Sequence, residues 1–314
     1  VALDNSVQKL ATGGHRLTMS DGTELAVWRR GPDDAALTYV FLHGWTLDHR
    51  SWDDVTGAIL AAEPDARVVT YDHRGHGRSE PLQPGTGTLE RLADDLVEVI
   101  AAEVPEGPII VVGHSMGGMT LVTLGERHPE LVADRVIAAG FVATTAGPFW
   151  RRMRRNAYFA EQVTPRVFEW METASRRPSS PGAEYLNIRF GMFGRGARGT
   201  DISRAAEQMR CAGPGTTAEF GVAMSRHDRI VALRAYGDKP AIVLAGSQDR
   251  QCPVLHSRNL ADALPGAALT VFPGAGHMLP YERTAEVIGR VRSLREAARP
   301  RHALPAAAGP VSRP

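Results

Sequence analysis

Four short apolar runs punctuate the first half of the chain: Leu37–Leu42, Arg67–Tyr71, Pro108–Val112 and Arg135–Ala139. Each is rich in β-branched or aromatic residues, is bounded by turn-forming residues, and reads as a buried strand. Between them, Ser51–Ala62, Thr88–Glu103 and Met116–Arg127 repeat apolar residues at helical spacing. In the second, Leu89, Leu92, Leu96, Val99 and Ile100 form one stripe, which leaves Asp94, Asp95 and Glu98 for water. Strand and helix in alternation predict parallel strands joined by crossover helices, because a tight turn cannot connect a parallel pair.

The pattern resumes near the end with a strand over Ala241–Ala245, a helix over Val254–Leu264, a strand over Leu269–Phe272 and a helix over Arg283–Ala297. Ahead of the first core strand, Arg16–Met19 and Glu24–Trp28 flank Ser20-Asp21-Gly22-Thr23, the signature of an antiparallel hairpin. From Ala146 to Leu233 the alternation stops and Arg, Met, Phe, Trp and Tyr accumulate, as in an insertion of helices and loops. The expected organisation is a core over 1–145, an insertion over 146–233, a return to the core over 234–297, and a disordered Ala/Pro/Arg tail over 298–314.

Composition narrows the class. The 314 residues, 43% hydrophobic and 23% charged, suffice for one large α/β domain with a sizeable core. Thirty-six Lys and Arg against 35 Asp and Glu give a net charge of +1, so no overall field recruits nucleic acid or an anionic membrane. No apolar run approaches the ~20 residues of a membrane span, and Val1–Leu10 lack the basic start and apolar stretch of a secretory signal, so a cytoplasmic location is expected. Two cysteines, Cys211 and Cys252, cannot build a disulfide framework, and no Cys/His cluster has metal-ligand spacing. Neither a metal nor a cofactor is expected. Oligomeric state leaves no mark on the sequence.

Chemistry concentrates at Gly113-His114-Ser115-Met116-Gly117-Gly118, which follows a predicted strand and opens a predicted helix. This is G-x-S-x-G in the strand–turn–helix setting the motif needs. A serine at such a turn takes a strained φ > 0 conformation, and the chain packs so closely that the positions two before and two after, Gly113 and Gly117, must be small. The helix directs its N-terminal amides and positive dipole end at the same spot. Because a hydroxyl is almost never ionised at neutral pH, the serine needs a base, and the base an orienting acid. Asp249, just past the strand Ala241–Ala245, and His277, just past Leu269–Phe272, follow in the order Ser, Asp, His. Parallel strands end on one edge of the sheet, which predicts that Ser115, Asp249 and His277 meet there as nucleophile, orienting carboxylate and general base. Two backbone donors should face the oxyanion, Met116 N–H and Trp45 N–H, with Gly44 turning the latter's loop toward the site.

Taken together, these residues resemble the α/β-hydrolase superfamily from about residue 15 to 297. The likeness rests on His43-Gly44-Trp45, on Tyr71-Asp-His-Arg-Gly-His-Gly-Arg-Ser79, on the turn at Ser115, on Asp249 with Pro253 four residues later, and on Gly276-His277. The resemblance implies an α/β-hydrolase fold: an eight-stranded, mostly parallel sheet flanked by helices, with a helical cap inserted after the sixth strand, where 146–233 falls. The chain looks most like the serine branch that holds carboxylesterases, small lipases, lactonases and cofactor-free haloperoxidases. Dehalogenases and epoxide hydrolases of this fold carry aspartate where Ser115 stands. In the family, His43, His73, His76 and His114 correspond to structural or pocket-supporting positions.

The expected activity is hydrolysis of a carboxylic ester of a small to medium, largely apolar molecule through an acyl-Ser115 intermediate. Thioesterase, lactonase, acyltransferase, perhydrolase and carbon–carbon bond hydrolase would use the same three groups, and a non-catalytic ligand-binding protein is a remote alternative. Phe149, Trp150, Phe190, Met192 and Phe193 are among the insertion's apolar residues, most of which are expected to build its own small core, with a few lining a cavity. The run Arg151-Arg152-Met153-Arg154-Arg155 reads as a solvated helix face rather than an anion site.

Overall fold

A computed structural model describes residues 13–147, 180–237 and 239–299. The residues 300–314 of the expected tail, Arg151–Arg155, Phe149 and Trp150 lie outside the described residues. The apolar runs form the eight strands β1 His15–Thr18, β2 Glu24–Arg30, β3 Leu37–Leu42, β4 Ala66–Tyr71, β5 Ile109–His114, β6 Val136–Val142, β7 Ala241–Gly246 and β8 Ala267–Phe272. They make one sheet in the order β1-β2-β4-β3-β5-β6-β7-β8. The β1–β2 hairpin and the β2–β4 pair are antiparallel, and every other pair is parallel.

Alternation along each strand divides the core. Leu37, Tyr39 and Phe41 of β3, with Ile110 and Val112 of β5, face α1 (Asp53–Ala62) and α10 (Thr284–Ala298) through Val55, Ile59, Val287 and Val291. Val40 and Leu42, with Ile109 and Val111, face the other side, against Leu96 of α2 (Leu89–Glu103) and Leu121 of α3 (Met116–Arg127). Burial on both faces explains why these strands read as continuous apolar runs. The α2 stripe is realised, but Asp95, expected to face water, is fully buried, because the Arg74 guanidinium pairs with both its oxygens at 2.7 Å. Thr88 caps the helix, its hydroxyl accepting the Arg91 N–H at 3.0 Å.

A short helix, α4 (Pro129–Arg135), was not anticipated; it buries only Val132, too little to leave a periodic signal. Between β6 and β7 lie α5 (Pro181–Gly191), α6 (Gly199–Cys211) and α7 (Pro214–Ser225). Ile188, Phe193 and Ile202 of this segment pack on Leu47, Met278 and Tyr281, which follow strand ends at the C-terminal edge of the sheet. Phe220 and Met224 of α7 pack on Leu89, Leu92, Met116 and Met119. Phe193 thus serves a local core, while Phe190 is 60% exposed. The expected boundary at 233 falls inside a 3-10 helix, Ile230–Tyr236, whose Leu233 and Tyr236 join the main core. Two further α-helices among the described residues are α8 (Val254–Asp262) and α9 (Leu279–Glu282).

Candidate active site

The parallel registers align strand ends: Leu42 pairs with Gly113, His114 with Val142, and Gly246 with Phe272. Ser115 follows β5 directly, with φ 51° and ψ −115°. A non-glycine residue in this region carries a strain of about 1–3 kcal/mol that its surroundings must offset. Its backbone is held on both sides: Ser115 N–H donates to Val142 O at 2.9 Å, and Ser115 O accepts from the Thr144 hydroxyl at 2.7 Å and from Met119 N–H at 3.1 Å. A Cβ on Gly113 would stand 2.5 Å from the Gly117 carbonyl, and one on Gly117 would stand 2.5 Å from Leu42 O. Glycine at both positions is therefore a packing requirement. The second contact also brings the first turn of α3 against the end of β3, beside the loop of Gly44 and Trp45.

The three predicted side chains meet. His277 Nε2 lies 3.0 Å from Ser115 Oγ, and His277 Nδ1 lies 2.8 Å from Asp249 Oδ2. The other Asp249 oxygen accepts the N–H groups of Gln251 and Cys252, each at 2.8 Å. An ionised carboxylate accepts only, so His277 Nδ1 must bear the ring proton, leaving the Nε2 lone pair for the serine. All three residues are at most 8% exposed. Water is kept from the charged link, which strengthens it.

Met116 is the first residue of α3, so its N–H has no acceptor within the helix. The Gly44 carbonyl accepts from His43 Nδ1 at 2.8 Å and from Leu47 N–H at 3.1 Å. In a planar trans peptide the Trp45 N–H points away from that carbonyl, so both bonds fix its direction. A Cβ on Gly44 would lie 2.8 Å from His114 Nδ1, which leaves room only for glycine. The half-buried Trp45 side chain packs against the cluster of Met116 and Phe220.

His43, His73, His76 and His114 support this frame. His43 Nε2 accepts the His73 N–H at 2.9 Å, and His114 Nε2 donates to the His277 carbonyl at 2.9 Å. Burial pushes His43 and His73 below their ordinary range and takes His76 and His114 down to about 3, so all four are neutral near pH 7. His76 ties its loop through Arg74 O at 3.0 Å. Asp72 bonds the His49 ring at 2.8 Å. Burial also pushes the Cys252 thiol well up, away from thiolate chemistry. Asp48, His49 and Asp72 come close enough to share a cation, yet Asp48 is engaged by Arg50, and Asp72 by His49 and the Arg78 amide. Glu282, Thr144 and the Met192 carbonyl also hold the site. Sequence reasoning missed them because main-chain bonds leave no residue pattern.

Comparison with known proteins decides the family. The model of the alpha/beta hydrolase family matches residues 39–290. The chain belongs to that family. Among its relatives, a non-heme haloperoxidase of Rhodococcus erythropolis is 29% identical over 270 residues, 83% of this chain and 92% of that one. A bifunctional esterase/perhydrolase of Acinetobacter calcoaceticus is 26% identical, over 87% of this chain and 96% of its own. A Rhizobium rhizogenes protein provisionally named carbamate hydrolase RutD is 39% identical, over 76% of this chain and 87% of its own. In fold, this α/β hydrolase is similar to a thermophilic esterase from Thermogutta terrifontis, with a TM-score of 0.74 at 24% identity over 91% of this chain and 98% of that one. No helix among the described residues is long and apolar enough to cross a membrane.

Proposed function

We propose that this α/β hydrolase is a serine esterase that cleaves a carboxylic ester of a small to medium, largely apolar substrate through an acyl-Ser115 intermediate. The observation that carries the reading is the unbroken bond series from Ser115 Oγ to His277, 3.0 Å, and from His277 to Asp249, 2.8 Å. Ser115 Oγ attacks the ester carbonyl as His277 Nε2 takes its proton. The Trp45 and Met116 amides then receive the charge on the former carbonyl oxygen. His277 returns the proton to the departing alcohol; a water then attacks the acyl carbonyl as the same nitrogen takes its proton, and that proton passes to Ser115 Oγ as the acid leaves. Asp249 holds the tautomer and stabilises the imidazolium without itself taking a proton. The segment 146–233 acts as a helical cap that selects the substrate.

A second reading keeps the acyl-enzyme and changes its acceptor. It is favoured by the relative whose name joins esterase and perhydrolase activities. Turnover of p-nitrophenyl esters of increasing chain length, with and without competing hydrogen peroxide, tests both readings. Ser115→Ala should abolish hydrolysis and peracid formation alike. Full turnover by that variant would overturn the proposal.

A further inference from the structure

Three consecutive amides carry the loop of His277. Gly276 N lies 3.0 Å from each oxygen of Glu282, and Met278 N lies 3.1 Å from Glu282 Oε1. Between them, His277 N–H donates to the Met192 carbonyl at 2.7 Å. Met192 belongs to the segment inserted between β6 and β7, just past α5. Two residues further along that segment, Gly194 N–H donates to the same Glu282 carboxylate at 2.7 Å. Arg195 N–H then reaches Gly274 O at 3.0 Å. One acidic side chain therefore accepts amides from both neighbours of His277 and from the inserted segment.

The two stretches of backbone touch directly. A Cβ on Gly194 would lie 2.1 Å from Gly274 O, and one on Gly276 would lie 2.5 Å from Gly194 N and 2.6 Å from Met192 O. Glycine at both positions lets main chain meet main chain, and a carboxylate closes the seam. Bonds from amides to an ionised carboxylate are roughly twice as strong as neutral ones.

We propose that Glu282 is a positioning residue that fastens the loop of His277 to residues 192–195, so that the base and the inserted segment hold or lose their places together. The role rests on the reading of His277 as general base. It differs from that of a plain loop staple, whose loss lowers stability and leaves the reaction at the serine alone. A glutamine at 282 keeps the volume but offers one acceptor oxygen and turns its NH2 toward an amide donor.

The test compares wild type, Glu282→Gln and, as control, Arg292→Ala, which breaks the ion pair to Glu63 at the opposite edge of the sheet. Each is reacted with a p-nitrophenyl phosphonate well below its melting temperature, and ester kcat and KM are measured beside the labelling rate. Glu282→Gln should lose about 10- to 100-fold in labelling rate and in kcat, with KM nearly unchanged, since displacements of about 1 Å carry costs of that size. Arg292→Ala should label at the wild-type rate. In wild type, amide exchange at Gly194, Gly276 and Met278 should report one common opening, a readout independent of whether the variant folds. A Glu282→Gln variant labelled at the wild-type rate, or amides that open separately in the two segments, would overturn the positioning role alone. A wild-type protein that takes no label at Ser115 would overturn the functional reading and this role with it.

Discussion

Replacing Asp249 with asparagine should disable His277 while leaving its loop folded. Asp249 Oδ1 accepts the Gln251 and Cys252 amides, each at 2.8 Å, and Oδ2 faces His277 Nδ1 at 2.8 Å. In an asparagine, the two amide donors select the carbonyl oxygen for the first position, because an NH2 there would confront two N–H groups. The NH2 therefore turns to His277. An imidazole opposite a donor presents its lone pair at Nδ1, which moves the ring proton to Nε2, 3.0 Å from Ser115 Oγ. A protonated Nε2 cannot take the serine proton. The same tautomer reversal in the chymotrypsin-type triad lowers kcat by about 10⁴, equivalent to about 5.5 kcal/mol of barrier. Both loop bonds persist in the variant, so the melting temperature should shift by only a few degrees. Ester turnover measured beside a thermal melt checks both halves. An Asp249→Asn variant within tenfold of wild-type kcat would refute the reasoning.

Three further outcomes follow from the packing and charge of the same frame. Gly117→Ala places a methyl 2.5 Å from Leu42 O and 2.8 Å from His43 O, nearly 1 Å inside ordinary contact; turnover should fall about 100-fold and stability by about 1–3 kcal/mol, read by ester assay and urea unfolding. Arg74→Leu strips fully buried Asp95 of its two 2.7 Å bonds, leaving Arg91 as its remaining cation, and should cost about 3–5 kcal/mol in urea unfolding. Burial holds the pKa of His76, His114 and His227 down at about 3, below the ordinary value of about 6.5, so beneath that pH the unfolded chain binds more protons than the folded one. Their contribution is complete above about pH 6.5 and is lost as pH falls toward 3. The urea midpoint should drop between pH 7 and pH 5; a flat midpoint would contradict this.

The parts of this fold legible in the sequence are those written in side chains. Fully buried strands such as β3 and β5 announce themselves as apolar runs, and Ser115, Asp249 and His277 stand at strand ends that parallel topology gathers on one edge. The start of β8 was not legible, because Ala267 and Ala268 carry no strand signal and the strand stands at the end of the sheet, beside β7. Nor did β5 read as running through Gly113 and His114, which extend the strand by pairing with β3 and β6 rather than by their own propensity. The mounting of His277 was hidden for another reason. Gly194 and Met192 contribute main-chain groups, and the Glu282 carboxylate accepts main-chain amides from two segments far apart in the chain, so only the fold brings them together.

Acyl chemistry at a single hydroxyl is the central claim. Peptide mass spectrometry after exposure to a p-nitrophenyl phosphonate tests that claim most directly. It should find one phosphonyl group per chain, on the peptide holding Ser115, in wild type and none in Ser115→Ala. An unreacted wild type, or an adduct on another residue, would contradict it.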